Sequence, residues 1–326
     1  MCSNYASPKR DQPAAHLPSP FKSRKGEAEY LAAYDASMQL WPVPYESLDI
    51  SNHFGRTHVV ASGPKDAPPL VLLHGLLVSL TIWAPNIADL SRKYRVYAVD
   101  VMGQPGKSIP DQPITSRADY VEWITTVLDA LKIDQACVAG MSYGGWLTLN
   151  AAIGIPERIK KIMLLSPVGL APLRKQFLLR SMLMVFLPKH SRVNSLMRWM
   201  AYEENLQDRR MHNLYDCVVN QMYLGLKHFR ARSRIAVPPT ALSDEDLRSM
   251  RIPTLLLIGQ QEVLYDPAAA LNRARRLIPI LAAELVPQAG HEMTFGRHQL
   301  VDARILRFLK ESPPKKSPIT RCSIAV

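Results

Sequence analysis

A serine at position 142 stands in a sequence context that is typical of an activated nucleophile. Gly140-Met141-Ser142-Tyr143-Gly144 fits the pattern G-x-S-x-G, follows an apolar run and precedes a helix-length segment. A serine on so sharp a strand-to-helix turn needs small residues two positions before and two positions after it, because larger side chains would collide with the turn. The pattern therefore predicts that Ser142 is the nucleophile of an acyl-transfer reaction.

A serine hydroxyl becomes a good nucleophile only when a positioned base accepts its proton. Of the nine histidines, His291 follows the last apolar run, in a loop that Gly290 makes flexible enough to reach the nucleophile. His298 lies on the following predicted helix, where an exposed polar residue is expected. We therefore predict that His291 is the general base.

The acid that orients this histidine is expected just after the preceding apolar run, PTLLLIG. Glu262 stands three residues after Gly259, and Asp266 stands seven residues after it. Glu262 is favoured because the acid usually lies in the first turn beyond the strand. Asp266 remains the alternative, and its other interpretation is a helix cap before Pro267.

Two backbone N–H groups are predicted to bind the oxyanion that forms during acyl transfer. Such donors must already point at the reacting atom before the reaction starts. One is the N–H of Tyr143, the residue after the nucleophile, and the other is the N–H of Leu76, in the loop after LVLLHG. The ring of His74 in this loop is interpreted as a structural hydrogen-bonding group.

Short apolar runs that alternate with helix-length segments predict an α/β fold. Near-continuous apolar strands of this kind form mostly parallel sheets that helices cover on both faces. Ligands then bind at the carboxyl edge of the sheet. The runs are at 69–75, 94–101, 135–142, 160–167, 253–259 and 282–288, after two further predicted strands at 45–51 and 56–62.

The composition divides the chain into five segments. Residues 1–25, rich in Pro, Ser and Lys, and residues 313–326 are predicted to be disordered tails. Residues 26–170 and 252–312 form the two parts of the α/β core. Residues 171–251 have helical periodicity and no convincing strand, which predicts a helical cap inserted after the sixth strand.

The apolar, Met-rich segment at 177–187 lies within this predicted cap. Ordinary packing of the cap on the core is the favoured interpretation. A hydrophobic acyl pocket is the second, because methionine fills irregular space and adapts to its neighbours. An amphipathic helix that rests on lipid is a third.

The charge and the cysteines exclude several other classes of function. The formal net charge of +12 could suggest a nucleic-acid partner, but between residues 172 and 251 the charged residues, 14 Lys or Arg and 7 Asp or Glu, are scattered. No recognised nucleic-acid module accompanies them, so no nucleic-acid partner is expected. The sequence contains no run of about 20 apolar residues, so no membrane span is predicted. The amino-terminal residues also lack the apolar stretch of a secretion signal, which predicts a cytoplasmic protein. The four cysteines have no metal-binding spacing, so free thiols and no metal are expected, with Cys137 in the core.

Five segments together resemble the bacterial serine carboxylesterases of the α/β-hydrolase superfamily: PPLVLLHG, VDVMGQPGKS, GMSYGG, PTLLLIGQQE and QAGH. The resemblance extends from about residue 30 to residue 309. It implies an eight-stranded sheet, a helical cap, no cofactor and a triad of Ser142, Glu262 and His291. The family more often has Asp at the acid position, which keeps Asp266 as an alternative, and Gln104-Pro105 stands where a single bulkier residue is usual.

The residues and the resemblance predict a serine hydrolase that cleaves carboxylic esters through an acyl-enzyme intermediate. The expected partner is a small-molecule ester with an apolar acyl or alcohol moiety. The same triad could serve a carbon–carbon bond hydrolase, a lactonase or an acyltransferase, and Arg198 in the cap could then bind a substrate carboxylate unless it belongs to a solvated helix face. A non-catalytic small-molecule receptor is less favoured, because every position of the triad is filled.

Overall fold

The predicted mostly parallel sheet is present in the computed structural model of the chain, which describes residues 19–201, 209–230 and 237–312. Residues 1–18 of the predicted amino-terminal tail and the whole predicted carboxy-terminal tail, residues 313–326, lie outside these residues. The strands of the described chain form one sheet, in the order β1-β2-β4-β3-β6-β7-β8-β9, with β5 paired to β2. Strands β3, β4 and β6–β9 run parallel, whereas β2 is antiparallel to β1, β4 and β5.

All eight strands that the sequence predicts are confirmed, with ends shifted by at most two residues. A ninth strand, β5, was not predicted, because its two residues are too few to give a periodic pattern. The strands are β1 (Tyr45–Asn52), β2 (Gly55–Ser62), β3 (Pro69–Leu73), β4 (Arg95–Val99), β5 (Ile109–Pro110), β6 (Ala136–Met141), β7 (Ile159–Leu165), β8 (Thr254–Gly259) and β9 (Leu281–Val286).

Eleven α-helices accompany the sheet in the described part of the chain. In chain order they are α1 (Arg24–Met38), α2 (Ala84–Leu90), α3 (Arg117–Ala130), α4 (Tyr143–Gly154), α5 (Lys175–Phe186), α6 (His190–Ala201), α7 (Arg209–His228), α8 (Asp244–Ser249), α9 (Pro267–Leu277), α10 (Met293–Gly296) and α11 (His298–Lys310). None of these helices is long and apolar enough to cross a bilayer.

The central strands are buried along their whole length, which is why they appear in the sequence as continuous apolar runs. Every residue of β6 and β8 is buried. Cys137 in β6 is a buried free thiol, as predicted. Fully burying a leucine or valine side chain contributes about 1.5–3 kcal/mol, so these strands form a stable platform for the loops at their carboxyl ends.

Part of the predicted amino-terminal tail is folded, because residues 19–25 belong to the described structure and pack on the rest of the chain, which places this boundary before Gly26. Phe21 is buried, lies 4.9 Å from Phe229 between ring centroids and pairs with it in an isolated β-bridge. Helix α1 then begins at Arg24, where the Ser23 side chain accepts a hydrogen bond from the N–H of Gly26. The sequence could not reveal this boundary because the partner of Phe21 lies about two hundred residues away.

Helices α5, α6, α7 and α8 occupy the interval between β7 and β8 that was predicted to form a cap. Residues 202–208 and 231–236 of that interval lie outside the described residues. Side chains of α5, α6 and α7 line a cavity together with Ser142, at the carboxyl edge of the sheet. This arrangement supports our proposal that residues 171–251 are a cap domain.

Candidate active site

Ser142 lies on the turn between β6 and α4 in a backbone conformation that L-residues rarely adopt. Its φ is 54° and its ψ is −113°, which is strained for a residue with a Cβ atom. The surrounding structure holds it there: its N–H donates to the carbonyl of Leu165 (2.9 Å), and its own carbonyl accepts from the N–H groups of Trp146 (3.1 Å) and Val168 (3.2 Å). The turn therefore presents the hydroxyl at the edge of the sheet.

The two glycines of the motif are required because other backbone segments approach them closely. A Cβ atom on Gly140 would overlap the carbonyl oxygen of Gly144. A Cβ atom on Gly144 would overlap the carbonyl oxygen of Leu73 in β3. This is the steric requirement that the sequence pattern predicted.

His291 and Glu262 form a buried pair beside this turn. The side chains are 2% and 0% exposed, and the Nδ1–H of His291 donates to Oε2 of Glu262 over 2.8 Å. The other oxygen of Glu262 accepts from the N–H of Leu264, also over 2.8 Å. Because Nδ1 is held by the carboxylate, Nε2 of His291 is the nitrogen that can accept a proton, and both His291 and Ser142 line the same cavity.

Opposing effects set the charges of this pair. Burial alone would raise the pKa of Glu262, but the charge and hydrogen bond of His291, with the Leu264 N–H and the Ser166 hydroxyl, hold it below its ordinary value. Burial alone would lower the pKa of His291, but the charge and hydrogen bond of Glu262 and the charge of Glu292 raise it. The carboxylate is therefore ionised and stabilises an imidazolium that forms beside it.

Asp266, the alternative acid, is a helix cap in the structure. It is the N-cap residue of α9, and its Oδ1 accepts from the N–H of Ala269 over 2.8 Å. The structure therefore brings Glu262, and not Asp266, to His291.

The two predicted oxyanion donors line the same cavity as Ser142. Tyr143 is the first residue of α4, where a backbone N–H has no partner within the helix. The loop that carries Leu76 is held by Gln104, whose Oε1 accepts from the N–H of Leu77 over 3.1 Å. The sequence drew attention to Gln104 only as a departure from the family pattern and gave no sign of this role.

The ring of His74 has both nitrogens occupied, in agreement with a structural role. The N–H of Val101 donates to Nε2 (2.8 Å), so Nδ1 carries the proton and donates to the carbonyl of Gly75 (2.8 Å). Burial also lowers the pKa of His74. The neutral ring therefore ties the loop after β3 to the loop after β4.

His298, the other histidine considered as a base, is the first residue of α11, and its Nδ1–H donates to the carbonyl of Phe295 over 3.1 Å.

Sequence reasoning missed two residues that surround the pair. Ser166 follows β7 with a φ of 41°, is fully buried and accepts from the N–H of Gly259 (3.4 Å). Glu292 is buried and lines the cavity, and no hydrogen-bond partner of its Oε2 is found among the described residues. Neither residue belongs to a recognisable motif, so only the folded arrangement reveals them.

Burial raises the pKa of Glu292 to about 7, since the lowering effect of His291 is smaller and Glu262 adds to the rise. The charge of Glu292 in turn raises the pKa of His291. Activity that requires a neutral imidazole appears as the pH rises through the pKa of the histidine. Replacing Glu292 with glutamine removes a negative charge, so we expect the acid limb of the kcat/KM profile to move to lower pH.

This shift is measurable with an uncharged ester between pH 4.5 and pH 9. The exposed Glu157, changed to glutamine, is the matched control and is expected to leave the profile in place. An acid limb of Glu292→Gln at the same or a higher pH than that of the unchanged protein would contradict this electrostatic assignment.

The cavity above Ser142 has a volume of about 270 Å³ and is mainly apolar. Its polar side chains in the described chain include Ser142, Ser181, His291 and Glu292, and none of its described lining residues is Lys or Arg. Arg198 is not among them. The apolar lining includes five methionines, together with side chains of α5: Met141, Met184, Met197, Met200, Met222, Phe177, Leu178 and Val185. No group of His, Cys, Asp or Glu that could hold a metal ion occurs in the described residues.

The chain is similar to several known proteins over most of its length. It is 41% identical over 285 residues to a Bacillus subtilis (strain 168) protein named uncharacterized carboxylesterase nap, a match that covers 86% of this chain and 91% of the relative. Carboxylesterase YbfK of the same organism is 34% identical, over 89% of this chain and 96% of the relative.

The comparison of structures agrees with the comparison of sequences. The crystal structure of naproxen esterase (carboxylesterase NP) from Bacillus subtilis superposes with a TM-score of 0.81 at 39% identity, over 89% of this chain and 100% of that one. The family described as alpha/beta hydrolase fold matches residues 68–297. The resemblance inferred from the sequence is thus confirmed, and the chain belongs to the α/β-hydrolase family.

Proposed function

We propose that this protein is a serine carboxylesterase. The observation that carries the proposal is the joint placement of a serine on a strained strand-to-helix turn and a buried His291–Glu262 pair, both at one apolar cavity. The similarity to Bacillus carboxylesterases over most of the chain supports the same activity.

The proposed reaction has two halves. The hydroxyl oxygen of Ser142 attacks the ester carbonyl carbon while its proton passes to Nε2 of His291. The N–H groups of Leu76 and Tyr143 bind the oxyanion, and the carbon–oxygen bond to the alcohol breaks as the imidazolium returns a proton to the leaving alcohol. Water then attacks the acyl-enzyme with His291 again as the base, and the acid leaves as Ser142 regains its proton.

The substrate is proposed to be a small ester with an apolar acyl or alcohol moiety. Burial of an apolar group in this cavity contributes about 25 cal/mol for each Å² removed from water. The methionines of the lining are unbranched and can adjust to differently shaped groups. The chemistry of the triad needs no metal or organic cofactor.

Carbon–carbon hydrolysis of a dienone acid is the alternative that uses the same triad. Its substrate carries a carboxylate, which an arginine or lysine normally binds. The described lining of the cavity offers neither, and its acidic residue Glu292, whose pKa is about 7, would repel the carboxylate when it is ionised. This favours an uncharged ester over a dienone acid. Lactone opening and acyl transfer use the same serine chemistry. A non-catalytic small-molecule receptor, in contrast, would turn over no substrate.

A fluorophosphonate probe and a substrate panel test the proposal together. We expect the probe to label Ser142, and we expect kcat/KM to be highest for p-nitrophenyl esters, compared with a dienone acid and a lactone. Added alcohol distinguishes an acyltransferase, which would form a new ester. An unlabelled Ser142, or faster cleavage of the dienone acid, would overturn the proposal.

The cytoplasmic location expected from the sequence stays a prediction, which cell fractionation tests.

A further inference from the structure

Helix α5 carries a row of large apolar side chains on its outer surface. Leu179, Met182, Leu183 and Phe186 recur at the three- and four-residue spacing of one helix face. All four are exposed, Phe186 to 73% and Leu179 to 60%. Six of the seven large apolar side chains that are exposed within the described chain lie between residues 178 and 187.

The opposite face of α5 belongs to the cavity. Phe177, Ser181, Met184 and Val185 all line it, and of these Met184 is fully buried. Met184 also belongs to the apolar core, and Phe177 and Val185 pack against it, so the favoured interpretation, packing of the cap on the core, holds for this face of the helix. It is wrong for the outer face, whose apolar side chains are exposed. A contiguous exposed apolar surface of this kind is typical of an interaction site.

Positive charge surrounds this apolar face. Between residues 171 and 201 the sequence contains six Lys or Arg and neither Asp nor Glu. Arg174, Lys175, Arg180 and Lys189 are exposed. No ion pair found within the described residues neutralises any of these four. A surface of this composition complements a partner that is apolar and negatively charged.

A shallow pocket of about 290 Å³ adjoins the apolar face between α5 and α6. Arg180, Ser191, Arg192 and Ser195 supply its polar lining, and Leu183 joins it to the apolar row. Arg180 stacks 4.4 Å from the ring centroid of Trp199, and Arg192 donates one hydrogen bond to the carbonyl of Leu187 (2.6 Å). A guanidinium has five N–H donors, so both arginines retain donors for a phosphate group.

We propose that α5 docks the protein on membranes that contain anionic phospholipids. The outer face of the helix enters the boundary of the acyl chains, and phosphate groups contact Arg180 and Arg192. A second copy of this chain fits less well, because it would bring the same positive charge to the contact. Since the inner face of α5 lines the cavity, an apolar ester dissolved in the lipid would lie close to Ser142. The binding itself does not depend on the proposed esterase activity.

Vesicle co-sedimentation of the full chain tests the proposal. We compare vesicles of phosphatidylcholine with vesicles that also contain about a third phosphatidylglycerol, at low and high salt. We expect binding to the anionic vesicles that weakens at high salt. The combined change Leu179→Gln, Met182→Gln and Phe186→Gln is expected to lower the partition coefficient about tenfold or more, and Tyr45→Gln, at an exposed aromatic elsewhere, is expected to leave it unchanged.

The charge contribution is tested separately. Arg180→Gln with Arg192→Gln is expected to weaken binding to anionic vesicles about fivefold for each cation removed and to leave the weaker binding to phosphatidylcholine unchanged. Hydrolysis of a short soluble ester reports folding, and it is expected to be retained in the triple variant because its three side chains point away from the cavity. No vesicle binding, or equal binding by the triple variant, would overturn the proposal. A concentration-dependent dimer that the triple variant abolishes would assign the face to a second copy instead.

Discussion

Replacing Ser142 with alanine is expected to lower kcat for a short p-nitrophenyl ester by about 10⁴–10⁶-fold, with KM nearly unchanged. The substitution removes the atom that attacks the carbonyl, so no acyl-enzyme can form. The residues that line the cavity remain, so the binding of the ester is preserved. Turnover that survives depends on water alone, assisted by the two N–H donors of Leu76 and Tyr143.

A second serine of the same cavity provides the matched control. Ser181 lines the cavity from α5, and its hydroxyl has no hydrogen-bond partner in the described structure. Ser181→Ala is expected to keep kcat within about tenfold of the unchanged protein, because the hydroxyl that it removes can form at most one ordinary hydrogen bond with a bound ester. Single-turnover kinetics with both variants is the decisive measurement. Comparable activity of Ser142→Ala and Ser181→Ala would mean that position 142 is not the nucleophile.

Replacing Glu262 with glutamine is expected to lower kcat by about 10³–10⁴-fold. The amide keeps the volume of the carboxylate but cannot stabilise the imidazolium through its charge. It can also present an N–H to Nδ1 of His291, which would leave the proton on Nε2 and remove its capacity to accept one. Because the carboxylate raises the pKa of His291, any remaining activity should have its acid limb at lower pH.

The same experiment decides between the two acids that the sequence left open. Asp266→Asn is the matched control, since asparagine caps a helix about as well as aspartate. We expect nearly unchanged kcat and an unchanged thermal midpoint for this variant. A large loss of kcat in Asp266→Asn, together with a small one in Glu262→Gln, would transfer the role of the acid to Asp266 and refute the assignment made from the structure.

The strands and the turn that carries the proposed nucleophile were predictable because their signals are local. A central strand of a parallel sheet is buried on both faces, so PTLLLIG and QACVAG are apolar at almost every position. The turn around Ser142 needs glycine at 140 and 144 because backbone atoms lie against both, and this need is written into five consecutive residues. His291 was identifiable because it follows a strand and lies beside a glycine.

The choice of the acid was only partly predictable. Glu262 and Asp266 follow the same strand within four residues of each other, and either could reach a histidine in an extended loop. In the folded chain the first turn after β8 buries Glu262, and the start of α9 uses Asp266 as its cap. The distinction depends on where helix α9 begins, and the first residue of a helix is among the hardest features to predict from a sequence.

The sequence by itself determined the α/β class of the fold, the order of the strands along the chain and the strand-to-helix turn that carries the proposed nucleophile, because periodicity and a short motif encode them. Only the tertiary structure decided that Glu292 lies buried beside His291, that Gln104 holds the loop of Leu76, and that one apolar face of α5 lines the cavity while the other contacts solvent. These properties depend on contacts between residues far apart in the chain. Burial, charge and exposure at such positions arise from the neighbours that folding supplies, and no local pattern carries that information.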